Sequence, residues 1–273
     1  MTLLEYKGSV LKDAVFIVAG GPSLYGFDFH RLANQDTIVV NDAVFCVPNP
    51  TCFVTMDFTW TLKKNIHYEK CVDQRDEAFF TKDLQRYFVV GFRGDRLGRT
   101  EHGIIDKKRG VTYDLRLFDK VVYSSKYGGL GRSFDDFRVG SDSGYSAIQL
   151  AVVLGYKQIY LLGMDFSVVE DNTTTRSNKI IRSRSRSRIA GKVGRGIVGG
   201  AVHCRALETR THFYSKKSRA LGNELKIKLE EFLTPYPQMI SDAAGIAGLA
   251  ITSCSSISRL NKWIPYVSVD TLI

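Results

Sequence analysis

Long apolar runs are missing from this chain of 273 residues. None approaches the roughly 18 residues needed to span a bilayer. Met1 to Lys12, which carries Glu5, Lys7 and Lys12, contains no apolar signal region. The expectation is a soluble, cytoplasmic protein with no membrane partner. Cysteine is scarce and scattered: Cys46, Cys52, Cys71, Cys204 and Cys254 never form a C-x-x-C pair. An odd, unclustered set points to reduced thiols and away from a structural zinc, which needs clustered ligands. D-x-D triplets are absent too. Enzymes that hold a nucleotide diphosphate through a divalent metal often use such paired acids, so the lack favours chemistry without a metal, with hydroxyls and cations meeting the charge on a departing phosphate. Asp135-Asp136 reads as an exposed pair. With 44% hydrophobic and 24% charged residues, the chain is not disordered, collagenous or coiled-coil. Its length suffices for one large α/β domain with a real core.

The formal charge is +10, and it is unevenly placed. Between Arg176 and Arg219 there are 13 basic residues against one acid, Glu208, so the rest of the chain is close to neutral. The densest part alternates Arg182, Arg184, Arg186 and Arg188 with serines, and Lys192 and Arg195 follow in the glycine-rich stretch from Gly191 to Gly200. Alternating Arg and Ser cannot bury an apolar face, so the stretch reads as a surface loop, a basic lid at about 168–214. Arginines pair with phosphates, and a basic loop raises the on-rate for a polyanion. Nucleic acid is the partner expected for these six cations. A solvated loop, an anionic glycan and a lipid surface are the alternatives.

Elsewhere β-branched runs alternate with helical spacing. Strands are expected at Ala14–Ala19, Thr37–Val40, Cys52–Met56, Tyr87–Val90, Val121–Tyr123 and Gln158–Leu162, with a last one near Ile251. Ala147, Ile148, Ala151 and Val152 give Ser143–Leu154 a helical stripe, closed by Gly155. Leu221, Leu225, Leu229 and Phe232 do the same for Ser218–Phe232, and a short small-residue helix is expected at Ala243–Ala250. The alternation implies an α/β fold, Rossmann-like, with a mostly parallel sheet and helices on both faces. No repeat or interdomain linker breaks it, so 1–273 reads as a single domain.

In such sheets ligands bind beyond the carboxyl ends of the strands. Gly20-Gly21-Pro22-Ser23 follows the first strand; its small residues let a ligand near the backbone, and free amides with the Ser23 hydroxyl suit a phosphate. The same turn without a ligand would be a tight strand-to-helix connection. It has neither the G-x-G-x-x-G nor the G-x-x-x-x-G-K-[ST] form, which argues against NAD-type and P-loop sites. Asn41, Asp57 and Asp165 each end a β run and so share one rim, where amides and carboxylates can take a base and a ribose. Each would otherwise serve as a cap. Of the five histidines (His30, His67, His102, His203, His212), His212 ends the basic stretch, placed where a closing lid could deliver a general base. No Ser-His-Asp or Cys-His arrangement is legible.

Phe16 to Leu24 (F-I-V-A-G-G-P-S-L) resembles the opening strand and turn of glycosyltransferase family 42, the bacterial sialyltransferases, and of the related MptE-like domains found in bacterial and phage proteins. Ser143-Gly144-Tyr145, with Leu154 to Phe166 (L-G-Y-K-Q-I-Y-L-L-G-M-D-F), resembles the second signature. Thr211-His212-Phe213-Tyr214 is similar to the segment carrying the family's general base, and Ile251 to Ser258 to its closing strand and loop. Leu62 to Asp136 is weakly matched.

The resemblance implies a GT-A-type fold, an inverting transfer that needs no metal or other cofactor, and a nucleotide-sugar donor. A CMP-sugar is favoured and a UDP-sugar is the alternative. It implies that Gly20, Gly21, Pro22, Ser23, Asn41, Ser143, Gly144, Gly163, Asp165 and Phe166 line the donor pocket. It also implies that His212 deprotonates the acceptor hydroxyl, with Asp57 beside it in the catalytic set. Gly20 and Asp57 stand where the family has asparagines, Ser167 where it has a tyrosine, and Gly140 where it has an arginine, with Arg138 two residues away. Those differences leave the sugar open. With the basic lid, the expected acceptor is a hydroxyl on nucleic acid, such as a hydroxylated base in phage DNA. The alternatives are a magnesium-dependent pyrophosphokinase of the MptE type, acting on a pterin alcohol with Asp57 and Asp165 as metal ligands, and a non-catalytic nucleic-acid-binding protein.

Overall fold

A computed structural model of the chain describes residues 13–63, 83–91, 97–167 and 229–273. The basic lid with Arg182, Arg184, Arg186, Arg188, Lys192 and Arg195, the candidate base His212, and the helix expected from Ser218 up to residue 228 lie outside the described residues.

Thirteen strands and, besides the helical residues 229–233, two α-helices are described. In chain order the strands are β1 (Ala14–Val18), β2 (Thr37–Val40), β3 (Cys52–Thr55), β4 (Leu62–Lys63), β5 (Gln85–Gly91), β6 (Leu97–Thr100), β7 (Gly103–Asp106), β8 (Val111–Asp114), β9 (Lys120–Ser124), β10 (Lys126–Tyr127), β11 (Arg138–Val139), β12 (Gln158–Leu162) and β13 (Ala250–Ser253). Helix α1 spans Ser143–Val153, and α2 spans Tyr236–Ala244. Seven strands form one sheet in the order β13-β12-β1-β2-β3-β5-β9. Every pairing in it is parallel. Parallel strands buried on both faces should be apolar throughout. A-V-F-I-V and T-I-V-V meet that demand, with every residue of β1 and β2 buried.

Alternation divides each strand between two cores. Val15 and Ile17 of β1 join Ile38, Val54 and Val89 beneath α1 and α2, with Tyr145, Ile148 and Met239. Phe16 and Val18 face the other way, against Leu32, Val44, Ile104, Leu115 and Phe118. Short 3-10 turns (Phe29–Leu32, Asn41–Phe45) supply part of that second cover. A four-stranded antiparallel sheet, β4-β8-β7-β6, supplies another part through Ile104 of β7. Helix α1 has nine of its eleven residues buried, so it is a core helix rather than an amphipathic one. Gln149 within it is fully buried and satisfied: Gly131 N–H donates to its Oε1 at 2.8 Å, and its Nε2 donates to Gly131 O at 2.6 Å.

The expected strands all form, within two residues at each end. One helix shifts. The expected Ala243–Ala250 segment is mostly turn, and the helix precedes it at Tyr236–Ala244. Pro235 and Pro237 fall at its entrance, where a missing N–H costs nothing. Gly248, at φ +76°, suits the turn that follows. Leu229 to Leu233 is helical, in line with the end of the expected Ser218–Phe232 helix. Cys46, Cys52 and Cys254 are free thiols, and burial pushes Cys254 up to about 12, so it is inert. No helix among the described residues is long and apolar enough to cross a membrane.

Candidate functional site

Strand β1 leads to β2 on one side of the sheet, whereas β12 and β13 lie on the other. The chain therefore reverses direction between β1 and β12, and an open parallel sheet has its crevice at such a point, beyond the carboxyl ends. The two tails first stay zipped together. Ala19 N–H donates to Leu162 O at 2.9 Å, and Gly21 N–H to Gly163 O at 2.8 Å. Ser23 then ties its backbone N–H to Asp165 Oδ2 at 2.7 Å and its hydroxyl to Asp165 Oδ1 at 2.8 Å. Beyond this knot the tails part: Leu24 packs on the second core and Phe166 on the first.

The glycines here answer to close approach. A Cβ on Gly21 would lie 2.4 Å from Gly163 O and 2.5 Å from Asp165 Oδ2. Gly163 has φ +68°, and a Cβ there would meet Leu24 at 2.6 Å. Phe166 also has a positive φ, 50°, and its ring meets Tyr236 edge-on at 5.2 Å. Asp165 is 2% exposed. Its backbone is held as well, since Arg259 N–H donates to Asp165 O and the Ser258 hydroxyl to Met164 O.

This geometry narrows the phosphate expectation at the turn. The amides of Gly21 and Ser23 and the Ser23 hydroxyl proton are committed to Gly163 and Asp165, and Pro22 has no N–H. Among the described residues, Gly20 N–H is the amide of Gly20–Ser23 without a partner. Asp165 acts as the strut of the turn, with both oxygens occupied.

A second group of rim residues is linked by a relay. Asp57 N–H donates to Thr55 Oγ1 at 3.0 Å, and the Thr55 hydroxyl donates to Asn41 Oδ1 at 2.7 Å. Thr55 is fully buried. With its oxygen so engaged, Asn41 is left with two Nδ2 protons to offer, and it is held in a left-handed conformation at φ 52°. Asp57 is exposed. Ser143, the first residue of α1, accepts from Met56 N–H at 3.0 Å and docks the helix start on the end of β3. Gly144 lets the β12 tail approach, since a Cβ there would sit 2.8 Å from Met164 Cε. Donors from Gly20 and Asn41 suit carbonyl or phosphate oxygens, and a carboxylate such as Asp57 suits a ribose diol.

Thr55, Asp142, Tyr236 and Ser258 escaped the sequence reading. Asp142 carried a usable signal, a cap residue directly before S-G. It accepts from Tyr145 N–H at 2.9 Å, and the Tyr236 hydroxyl donates to it at 3.0 Å. Although the residue is only half-buried, its carboxyl is turned inward, and burial pushes it up to about 6. An acid with a raised folded-state pKa holds its proton more tightly when folded. Its stabilising effect is full below about pH 4 and is lost as pH rises to about 6. Asp142→Asn has no proton to lose. Its unfolding free energy relative to the parent should rise by about 2 kcal/mol between pH 4 and pH 6.5, then level off. Urea titrations across that range check this, and a flat difference would contradict it.

No family model and no curated protein matches the chain. Two solved structures are similar to it. A MAf glycosyltransferase from Magnetospirillum magneticum AMB-1 aligns with 98% of this chain at 13% identity and a TM-score of 0.42; the chain spans 35% of that protein's length. The sialyltransferase CstII from Campylobacter jejuni, solved with a substrate analogue, CMP-3FNeuAc, aligns over 93% of this chain and 84% of its own at 15% identity and a TM-score of 0.35.

Proposed function

We propose that this chain is a glycosyltransferase that takes a sugar from a nucleotide-activated donor, a CMP-sugar before a UDP-sugar. The observation that carries the reading is the crevice beyond β1 and β12. There the Gly20–Ser23 turn is braced by Asp165, and the Asn41 amide is oriented by Thr55 and Asp57. The sequence signatures supply the reaction class. In this reading Gly20 N–H and Asn41 Nδ2 bind donor oxygens, and Asp57 lies at the reacting end. Gly21, Gly144 and Gly163 keep the backbones close, while Ser143 and Phe166 shape the floor.

His212 takes the proton of the acceptor hydroxyl, whose oxygen attacks the anomeric carbon. The bond from that carbon to the donor phosphate breaks, and its electron pair leaves with the nucleotide. The basic stretch carrying Arg182 to Arg195 holds the phosphates of a nucleic-acid acceptor, a hydroxylated DNA base, within one domain of lid and sheet. No metal is needed to meet the leaving charge.

Thermal unfolding against CMP, CDP, UDP, GDP and ATP, each with EDTA or Mg²⁺, tests the reading. CMP in EDTA at a hundredfold excess over Kd should stabilise by about 2.7 kcal/mol, a rise on the order of 5 °C. His212→Ala should keep that shift and slow turnover of the donor by about 10²–10⁴. A shift with ATP and Mg²⁺ alone would instead favour pyrophosphate transfer, and no shift from any nucleotide would overturn the donor site.

A further inference from the structure

A groove of about 620 Å³, lined by none of the crevice residues, opens between the segment Tyr127–Arg132 and residues Gln238, Asp242 and Ile246 on and just after α2. That volume is within the range of small-molecule sites. Its walls are firmly built. Gly128 and Gly129 both have φ +74°, which bends the segment. Asp242 anchors it to α2, accepting Leu130 N–H on Oδ2 at 2.8 Å and Gln238 Nε2 on Oδ1 at 2.7 Å. Tyr145 holds it from α1, its hydroxyl donating to Gly129 O at 2.5 Å.

Two arginines, Arg132 and Arg138, line this space. Arg132 is exposed and has no ion-pair partner among the described residues. Arg138 pairs loosely with Asp136, at 3.7 Å from Nε, too long for a hydrogen bond, and the buried Nε makes none. Asp136 is itself engaged by Lys126. Arg138 Nη1 and Asp242 Oδ2 both border Gly129, where a Cβ would fall 2.9 and 2.6 Å from them. Beside the arginines, Gln238 and the hydrogen-bonded Asp242, the lining is Leu130, Ile246, Gly128 and the Tyr127 ring, which is 56% exposed.

Two guanidinium groups beside an exposed ring and an aliphatic wall match an oxyanion on a sugar-sized body. Guanidinium pairs with phosphate or carboxylate by charge-assisted, often bidentate bonds, and a flat apolar surface takes the body of the molecule. We propose that this groove is a second ligand site, which binds a phosphate- or carboxylate-bearing molecule of about monosaccharide size through Arg132 and Arg138. The site stands on its own residues, whether or not the crevice holds a nucleotide.

Isothermal titration calorimetry of the full chain with inorganic phosphate, glucose 6-phosphate and glucuronate, with and without saturating CMP, tests the site. Saturable binding of at least one probe is expected, undisplaced by CMP. Preference for glucose 6-phosphate or for glucuronate distinguishes the two oxyanions. Arg132→Ala, which removes an exposed side chain and so leaves folding intact, should weaken binding about tenfold. Arg138→Gln should do likewise, and Ile246→Trp should abolish binding by filling the groove. Lys108→Ala, an exposed cation on the antiparallel sheet, should change nothing. No saturable binding of any probe, or equal weakening by Arg132→Ala and Lys108→Ala, would overturn the proposal.

Discussion

Replacing Asp165 by alanine is expected to lower the unfolding free energy by about 3 kcal/mol and to remove the CMP-induced thermal shift. Two charge-assisted bonds to Ser23, at 2.7 and 2.8 Å, end on this 2%-exposed carboxylate. Each such bond is worth about 1.5–3 kcal/mol. Ser23 is only half-buried, so water recovers part of the loss. Asp165→Asn separates bracing from charge. Its oxygen can still accept the Ser23 N–H, and its amide can donate to the Ser23 oxygen, so it should cost about 1 kcal/mol and keep CMP binding within a few-fold. Gly21→Ala should resemble Asp165→Ala, because its Cβ would strike a backbone oxygen, Gly163 O, at 2.4 Å. Chemical unfolding with parallel CMP titrations measures all three. If Asp165→Asn lost binding while staying as stable as the parent, the carboxylate would be a ligand group rather than a strut.

Gly140→Arg is expected to unfold the protein at a temperature on the order of 10 °C lower, without any gain in nucleotide affinity. The family that the sequence resembles has an arginine at this position, so the substitution would seem to supply that cation. Space forbids it. A Cβ on Gly140 would lie 2.4 Å from Tyr145 Cγ and 2.6 Å from Cδ2. Tyr145 is fully buried, and its ring lies edge-on to Tyr236 at 5.3 Å. Its hydroxyl holds the segment at Gly129, so it has little room to turn. Overpacking of that kind costs about 3 kcal/mol or more. Gly140→Ala should already lose much of it. Differential scanning calorimetry of both variants decides the matter: a Gly140→Arg protein as stable as the parent would mean that Tyr145 yields.

The parallel sheet was legible because burial on both faces demands uninterrupted apolar runs, and A-V-F-I-V, T-I-V-V and C-F-V-T are such runs. The rim residues were legible for a related reason: Asn41, Asp57 and Asp165 interrupt those runs where each strand stops. What escaped was the partner of each. Nothing in sequence says that Asp165 braces Ser23, or that a buried threonine in β3 aims an asparagine at the end of the neighbouring strand β2. The strands of the small antiparallel sheet escaped because L-G-R-T and V-T-Y-D are short and half-exposed, with no clean alternation. The groove escaped for a different cause. Arg132 and Arg138 lie in turn and edge-strand backbone without periodicity, and α2, which forms the opposite wall, comes a hundred residues later in the sequence.

Ser23 and Asp165 stand 142 residues apart in the chain, yet they are joined just beyond the carboxyl ends of the adjacent strands β1 and β12. During synthesis at roughly 5–20 residues per second, Ser23 would be made about 7–30 s before its carboxylate. In that interval β1, β2, β3, β5 and β9 can pair in the order in which they appear, while the flank of β1 that β12 will cover stays open. An apolar strand with an open edge is the kind that pairs with a stranger, so that flank is where a nascent chain needs protection. A ribosome halted before codon 158 would hold a chain with five of its seven parallel strands and no knot at the crevice.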